Sequence, residues 1–465
     1  MDRIRTISPV DGQIYVERTM ASAGDISASI ARAEKAQSYW QALPLSARKV
    51  FCSKAVEYLV ANKRVIAEEI TWMMGRPIAF SGGEVDGVEE RARHMIAIAE
   101  DSLASIALPD KPGFNRYIKR VPLGTVFVIA PWNYPYLTAI NAIIPALLAG
   151  NTVVLKHSAQ TPLCAERLFE AFQHVGLPEG VFQYLHLSHA DTEKVIQATQ
   201  VRHVAFTGSV PGGAMVEKAV AGRFISSGLE LGGKDPAYIR KDADIETAVE
   251  TVIDGAFFNS GQSCCGIERL YIHQSIYDEV IEKSVEVVRR YQLGRPDDTS
   301  TTLGPLVKTG AADFVRGQVD EAIRQGAMPL IDQSEFAMHK PGTPYLAPQL
   351  LSHVNHSMRV MHEETFGPVL GVMSVADDHE ALSLMNDSEF GLTAAVFTQD
   401  QQVGERLADD IDTGTVFLNR CDYLDPGLAW VGVKNSGRGC TLSQVGFEML
   451  TRPKSYHIKK PGGDK

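Results

Sequence analysis

Gly124-Thr125-Val126-Phe127-Val128-Ile129-Ala130-Pro131-Trp132-Asn133-Tyr134-Pro135 is the stretch that decides the fold. From Val126 to Ala130 every residue is apolar, with none of the alternation of a half-exposed strand, and Pro131 ends the run. Such a strand is covered on both faces, as in a parallel sheet packed between helices. Residues 135–149 then read as a helix, 151–156 as a strand and 163–174 as a helix, with further strands expected at 181–186 and 203–207. Upstream, helices are expected over 26–42, 46–62 and 85–106. Strands alternating with helices imply βαβ units and a doubly wound parallel sheet.

A second series begins after Gly233. Helices are expected over 243–258, 277–291 and 311–326, and strands at 268–273, 369–375, 394–398 and 414–418. The fold class is therefore α/β with two lobes. The Pro/Gly-rich stretch 329–348 reads as a surface excursion. Two pieces stand apart, the basic segment 114–121 and the closing segment 455–460. They suit either strands that pair between subunits or a surface hairpin with a frayed tail.

Composition narrows the function. The 465 residues carry a net charge of −11, with 45% hydrophobic and 22% charged residues. That charge disfavours a nucleic-acid partner. No run approaches a membrane span, and the N-terminus has no signal-peptide core, so the cytoplasm is expected. Six scattered cysteines show no metal-ligand spacing, so neither a disulfide framework nor a metal site is expected.

Several short motifs carry chemistry. Cys264 lies in Asn259-Ser260-Gly261-Gln262-Ser263-Cys264-Cys265, and Glu230 lies upstream in Glu230-Leu231-Gly232-Gly233-Lys234. A thiol suits attack on a carbonyl carbon and a carboxylate suits base work, although a lone cysteine more commonly packs. Asn133, where the first strand gives way to a helix, is placed either to donate to an oxyanion or to cap that helix. Phe206-Thr207-Gly208-Ser209-Val210-Pro211-Gly212-Gly213 is a glycine turn opening a helix, suited to a pyrophosphate or simply to a tight turn. Lys156 ends a strand, as a ribose contact or a solvated lysine. Glu364-Thr365-Phe366 sets a carboxylate two residues from a ring, for ribose and nicotinamide or for ordinary packing.

Taken in order, these motifs resemble the aldehyde dehydrogenase superfamily over nearly the whole chain. The resemblance implies Cys264 as nucleophile, Glu230 as general base, and Asn133 with the Cys264 N–H as the oxyanion site. It implies cofactor contacts at Lys156, Ser158, Ala159, Gly208, Ser209, Gly213, Trp132, Leu231, Glu364 and Phe366. Thr138, Asn141, Ser263, Cys265, Leu424 and Trp430 match substrate-lining positions. It further implies a dinucleotide-binding domain over 1–110 and 124–232 and a catalytic domain over 233–435. An oligomerisation hairpin and C-terminal strand would occupy 111–123 and 440–465, in a homodimer or homotetramer. The expected activity is NAD(P)-dependent oxidation of a small aldehyde to a carboxylic acid. A carboxylate at Glu230 favours hydrolysis over transfer to coenzyme A. An acylating or reductive relative, or a non-catalytic scaffold, are the competing readings.

Two departures from the family pattern matter: Ala159, and Ala429-Trp430-Val431-Gly432 where the family usually has Pro-Phe-Gly-Gly, which sets Trp430 at a substrate-lining position. Lys156-His157-Ser158-Ala159 lacks the usual carboxylate at Ala159, which would bind the ribose hydroxyls and repel a 2′-phosphate, so use of both NAD and NADP is expected. The matched lining positions include no lysine or arginine, which disfavours a dianionic product such as succinate unless Arg420 intrudes. An uncharged aromatic or medium aliphatic aldehyde is the expected substrate.

Overall fold

The computed structural model describes residues 2–461. Its centre is a sheet of six strands in the order Gly437–Arg438, Ser226–Glu230, Val201–Thr207, Thr125–Ala130, Thr152–His157 and Phe182–Tyr184. All neighbours are parallel except the first pair. Thr125–Ala130 is buried at every position, as its unbroken apolar run demands. The helix Pro135–Ala149 covers it, starting at a proline whose fixed φ suits a first turn and ending at Gly150, whose φ of 91° is costly for other residues.

The second sheet has seven strands, in the order Met328–Pro329, Gln349–Ser352, Val369–Val375, Ile267–His273, Asp235–Ile239, Thr393–Phe397 and Thr415–Leu418. Only the first pair is antiparallel. A three-stranded antiparallel sheet stands outside both. In it Thr451–Lys459 pairs along its full length with Phe114–Pro122, and Tyr456 stacks on Tyr117 with ring centroids 4.7 Å apart. The chain is thus α/β with two largely parallel sheets and a small antiparallel one.

One expected boundary needs correction and one expected feature needs refinement. The stretch 329–348 runs largely over the surface as expected, and is pinned by Ile331, Phe336, Leu346 and Ala347, which are buried in the core around the second sheet. Residues 440–450 do not belong to the outlying strand. They contain the helix Ser443–Met449, whose Phe447 is buried in the first core. Residues 462–465 of the expected C-terminal piece lie outside the described residues. The short strand Ser226–Glu230 and an N-terminal hairpin, Arg3–Ile7 with Ile14–Thr19, had no clear signature in the sequence.

Candidate active site

Glu230 ends the strand Ser226–Glu230 and Cys264 follows a turn out of the helix Ile245–Phe257, so the two motifs arrive from different sheets. The turn is strained: Asn259 and Ser260 both have positive φ, 53° and 58°, which non-glycine residues avoid. It is held by the Gln262 side chain, which accepts from Val307 N–H (2.8 Å) and donates to the Asn259 carbonyl (3.1 Å).

The paired glycines after Glu230 explain how the segments meet. A Cβ on Gly233 would lie 2.3 Å from the Cys264 carbonyl oxygen, and one on Gly232 would lie 2.4 Å from a Glu364 carboxylate oxygen. Only glycine lets the base-bearing segment touch both the cysteine loop and the Glu364 segment. Gly233 N–H donates to Glu364 (3.0 Å), and Ser436 closes the seam by donating to the Gly232 carbonyl (2.7 Å).

Cys264 and Glu230 face one cavity of about 460 Å³. All six expected lining residues, Thr138, Asn141, Ser263, Cys265, Leu424 and Trp430, are on its wall. Glu230 accepts from the hydroxyls of Thr207 (2.8 Å) and Thr441 (2.5 Å). Burial raises its pKa above the ordinary carboxylate value, and these two bonds oppose the shift. Asn133 is not on the cavity wall. It is buried, its amide donates to the Gln262 carbonyl (3.2 Å), and it does not cap the following helix, whose N-cap is Tyr134.

Asn133 is fixed from behind by an arginine that the sequence did not single out. Arg76 donates through Nη2 to the Asn133 carbonyl and through Nε to Asn259 (3.1 Å), and it pairs with Glu84. Glu84 in turn accepts from the N–H groups of Tyr136 (2.9 Å) and Leu137 (3.0 Å), satisfying the first turn of the helix Pro135–Ala149.

Most of the expected cofactor contacts gather at the carboxyl ends of the first sheet's strands, while Glu364 and Phe366 come from the loop before Val369–Val375 of the second sheet. Ser209 caps the helix Val210–Val220, accepting from Gly212 N–H (3.3 Å). The Phe206 ring lies under Gly208 and Gly212, and Leu231 fills the space beside Gly213. Phe366 meets Trp132 edge-on at 5.6 Å. Glu364 is pushed up to about 7 by burial and by Glu268. Lys156 ends Thr152–His157; burial lowers its pKa and no side chain among the described residues pairs with its ammonium. Ser158 accepts from Gln160 N–H (3.2 Å), and Ala159 is exposed. An unpaired ammonium and a helix N-terminus, each at the carboxyl end of a first-sheet strand, fit the ribose and phosphates of a dinucleotide.

Other wall residues were not foreseen. Asp86, Glu90 and Arg91 line the cavity with Gly83 and Gly87, as do Tyr134, Asp254, Phe258, Asp422 and Tyr423. The spacing 83, 86, 87, 90, 91 is one face of a helix and was the available signal. Asp422 accepts from Cys265 Sγ (3.0 Å) and from Ser263 (3.3 Å), one on each side of the nucleophile position. Arg420 is not on the wall; its guanidinium lies 3.7 Å from the centroid of the Tyr423 ring. Among the described residues no group of three or more metal-ligating side chains stands together, and no helix is long and apolar enough to cross a membrane.

A doubly wound sheet with a dinucleotide cradle, and a cysteine facing a carboxylate in one cavity, define an oxidoreductase acting on a carbonyl. The Aldehyde dehydrogenase family matches residues 1–456, and the chain belongs to that family. It is 33% identical over 458 residues to a succinate-semialdehyde dehydrogenase [NADP(+)] of Mycobacterium avium (strain 104), covering 98% of this chain and 96% of the relative. The structure of succinic semialdehyde dehydrogenase from Streptococcus pyogenes with NADP+ superposes with a TM-score of 0.94 at 27% identity, over 98% of this chain and 100% of the other. That of NADP-dependent glyceraldehyde-3-phosphate dehydrogenase from Bacillus halodurans C-125 with NADP gives 0.93 at 30%, over 98% and 96%. The protein is an NAD(P)-using oxidoreductase of aldehydes.

Proposed function

We propose that the protein converts its aldehyde to the free carboxylic acid through a Cys264 thioester that Glu230 opens with water. The observation that carries this is the shared cavity of Cys264 and Glu230. The Cys264 thiolate adds to the aldehyde carbon, and the new oxyanion is met by the Cys264 N–H and the Asn133 amide. Bound NAD(P)+ supplies the hydride acceptor, held by Lys156, Ser158, Ser209 and Glu364, with Gly208, Gly213, Trp132, Leu231 and Phe366 shaping its bed. Glu230 then takes a proton from water, which attacks the thioester carbonyl and releases the acid while the sulfur leaves as thiolate. The buried carboxylate's raised pKa suits it to accept that proton.

Both NAD and NADP are accepted, because Ala159 leaves no carboxylate to repel a 2′-phosphate. On this reading the first sheet is the cofactor lobe and the second the catalytic lobe, and the outlying Thr451–Lys459 sheet joins subunits in a dimer or tetramer. A cytoplasmic site of action fits six cysteines that form no disulfide.

Hydrolysis is tested by incubating enzyme, aldehyde and NADP without coenzyme A. Carboxylic acid should form in step with NADPH; a requirement for coenzyme A, with acyl thioester as product, would overturn the reading. A second reading concerns the substrate. Arg91 is only 8% exposed, lines the cavity, and makes just two long hydrogen bonds, to Asn141 (3.3 Å) and to the Leu137 carbonyl (3.4 Å). It supplies the positive partner that the sequence seemed to lack, and with the named relatives it supports a semialdehyde bearing a carboxylate.

A further inference from the structure

The second sheet holds a buried ion pair that neither the thiol chemistry nor the hydrolysis uses. Lys234 follows the paired glycines after Glu230, and Glu268 lies in the strand Ile267–His273, which leaves the Cys264 turn. Both side chains are buried, and they bond to each other. Burial pulls the Lys234 ammonium below its ordinary pKa, and the facing carboxylate opposes that shift. Lys234 also donates to the buried Thr365 hydroxyl (2.9 Å), and its own carbonyl accepts from Arg269 Nε (2.8 Å). Such a pair commonly adds no stability over apolar residues of the same volume.

The Glu268 carboxylate also takes on a turn. It accepts the consecutive backbone N–H groups of Thr365 (2.9 Å) and Phe366 (2.8 Å). Phe366 has a φ of 53°, a left-handed conformation that a bulky residue avoids. Successive N–H groups in a turn of this kind make a concave anion site, and here the chain supplies the anion itself. The turn carries Glu364 on one side and the Phe366 ring on the other. Glu364 reaches back to Gly233 N–H (3.0 Å), and Phe366 meets Trp132. A Cβ on Gly261 would lie 2.3 Å from the Gly367 carbonyl oxygen, so the turn also abuts the loop before Cys264. The segments that follow Glu230, Cys264 and Glu364 therefore meet at one buried carboxylate.

We propose that Glu268 is a positioning residue for hydride transfer: its carboxylate, balanced by Lys234, locks the Thr365–Phe366 turn so that Glu364 and Phe366 hold the nicotinamide end of the cofactor in place. This rests on the reading of Glu364 and Phe366 as cofactor contacts.

The test separates positioning from charge balance with two variants of the intact enzyme. Lys234→Met/Glu268→Gln removes both charges together, so no ammonium is left unpaired, but it offers one acceptor oxygen where the turn presents two donors. Glu268→Asp keeps the charge and draws the carboxylate back by one methylene. The double variant should unfold near the wild-type midpoint, and iodoacetamide should alkylate its Cys264 at the wild-type rate without cofactor. Its Kd for NADP, read from quenching of protein fluorescence, should rise by about tenfold, the scale of one lost hydrogen bond. The first-turnover rate of NADPH formation from butanal should fall by on the order of 10²-fold, the scale of a displaced reacting group. Butanal deuterated at the aldehyde carbon should then show a full isotope effect on that turnover, marking hydride transfer as the slowed step. Glu268→Asp should show the same losses in smaller measure. Wild-type Kd and first-turnover rate in either variant would overturn the proposal, as would equal losses in turnover and in alkylation, which mark general disorder of the site. Glu364→Gln checks the underlying reading. If it leaves NADP binding and the first turnover unchanged, the cofactor-contact reading fails and this inference with it; if it impairs them while the Glu268 variants do not, this inference alone fails.

Discussion

At the residue scale the account rests on two side chains with separable roles. Cys264→Ala should abolish NADPH formation, because no other thiol on the wall is free to replace it: Cys265 is buried and bonded to Asp422. Glu230→Gln should act later, permitting one rapid turnover of NADPH per site and then slowing steady turnover by roughly 10²–10⁴-fold, as loss of a general base does. Stopped-flow absorbance distinguishes the two. The pH dependence has a definite sign. Glu230 works only when ionised and its pKa is raised by burial, so deacylation should fall as pH drops through that raised value, with an inflection above that of an exposed glutamate. Thr441→Val removes a hydrogen bond that lowers the pKa, so it should move the inflection to higher pH in a kcat–pH profile. The pair was legible in sequence because glycines frame both residues. Thr441, which holds Glu230 together with Thr207, was not, since it arrives from the far end of the chain with no motif of its own.

At the element scale, the buried Arg76–Glu84 pair joins three pieces: the helix Gly83–Ser102, the start of Pro135–Ala149 and the strained turn before Cys264. Removing one partner leaves a buried charge uncompensated. Glu84→Gln should therefore destabilise the fold by about 3–5 kcal/mol in denaturant unfolding and lower kcat by displacing Asn133. An unchanged unfolding midpoint would show the pair to be dispensable. The elements themselves were readable wherever one period dominated: 135–149 was expected as a helix and observed as Pro135–Ala149, and 369–375 was observed as the strand Val369–Val375. Reading was incomplete where burial and regularity part company. Ile331, Phe336 and Leu346 are core residues in irregular backbone, and Pro/Gly content reports the backbone alone. The cavity's acidic face was missed for another reason. Its carboxylates come from two helices and the Asp422 loop, and only the folded chain shows that they converge.

At the scale of the whole molecule, two properties follow from how the sheets are joined. The strand Thr451–Lys459 gives all its pairing to Phe114–Pro122, outside both large sheets. Truncating the chain after Leu450 should leave that partner paired only with Ile106–Ala107, and sedimentation velocity should show a smaller assembly or aggregation; an unchanged assembly would remove this sheet from the subunit contact. The expected cofactor contacts lie mostly at the carboxyl ends of the first sheet's strands, and Ala159 is the position there that lacks the family's usual carboxylate. Catalytic efficiencies with NAD and NADP should lie within about 10²-fold of each other, and Ala159→Glu should shift the ratio toward NAD by restoring a carboxylate that binds ribose hydroxyls and repels a 2′-phosphate.

The central claim is that an acyl group passes through Cys264 and leaves by Glu230-assisted hydrolysis. Mass spectrometry of Glu230→Gln, quenched after mixing with aldehyde and NADP and then digested, tests it most directly. The account predicts an acyl adduct on the peptide carrying Cys264, formed in proportion to the first turnover of NADPH. NADPH formation without that adduct, or with the adduct on another residue, would contradict it.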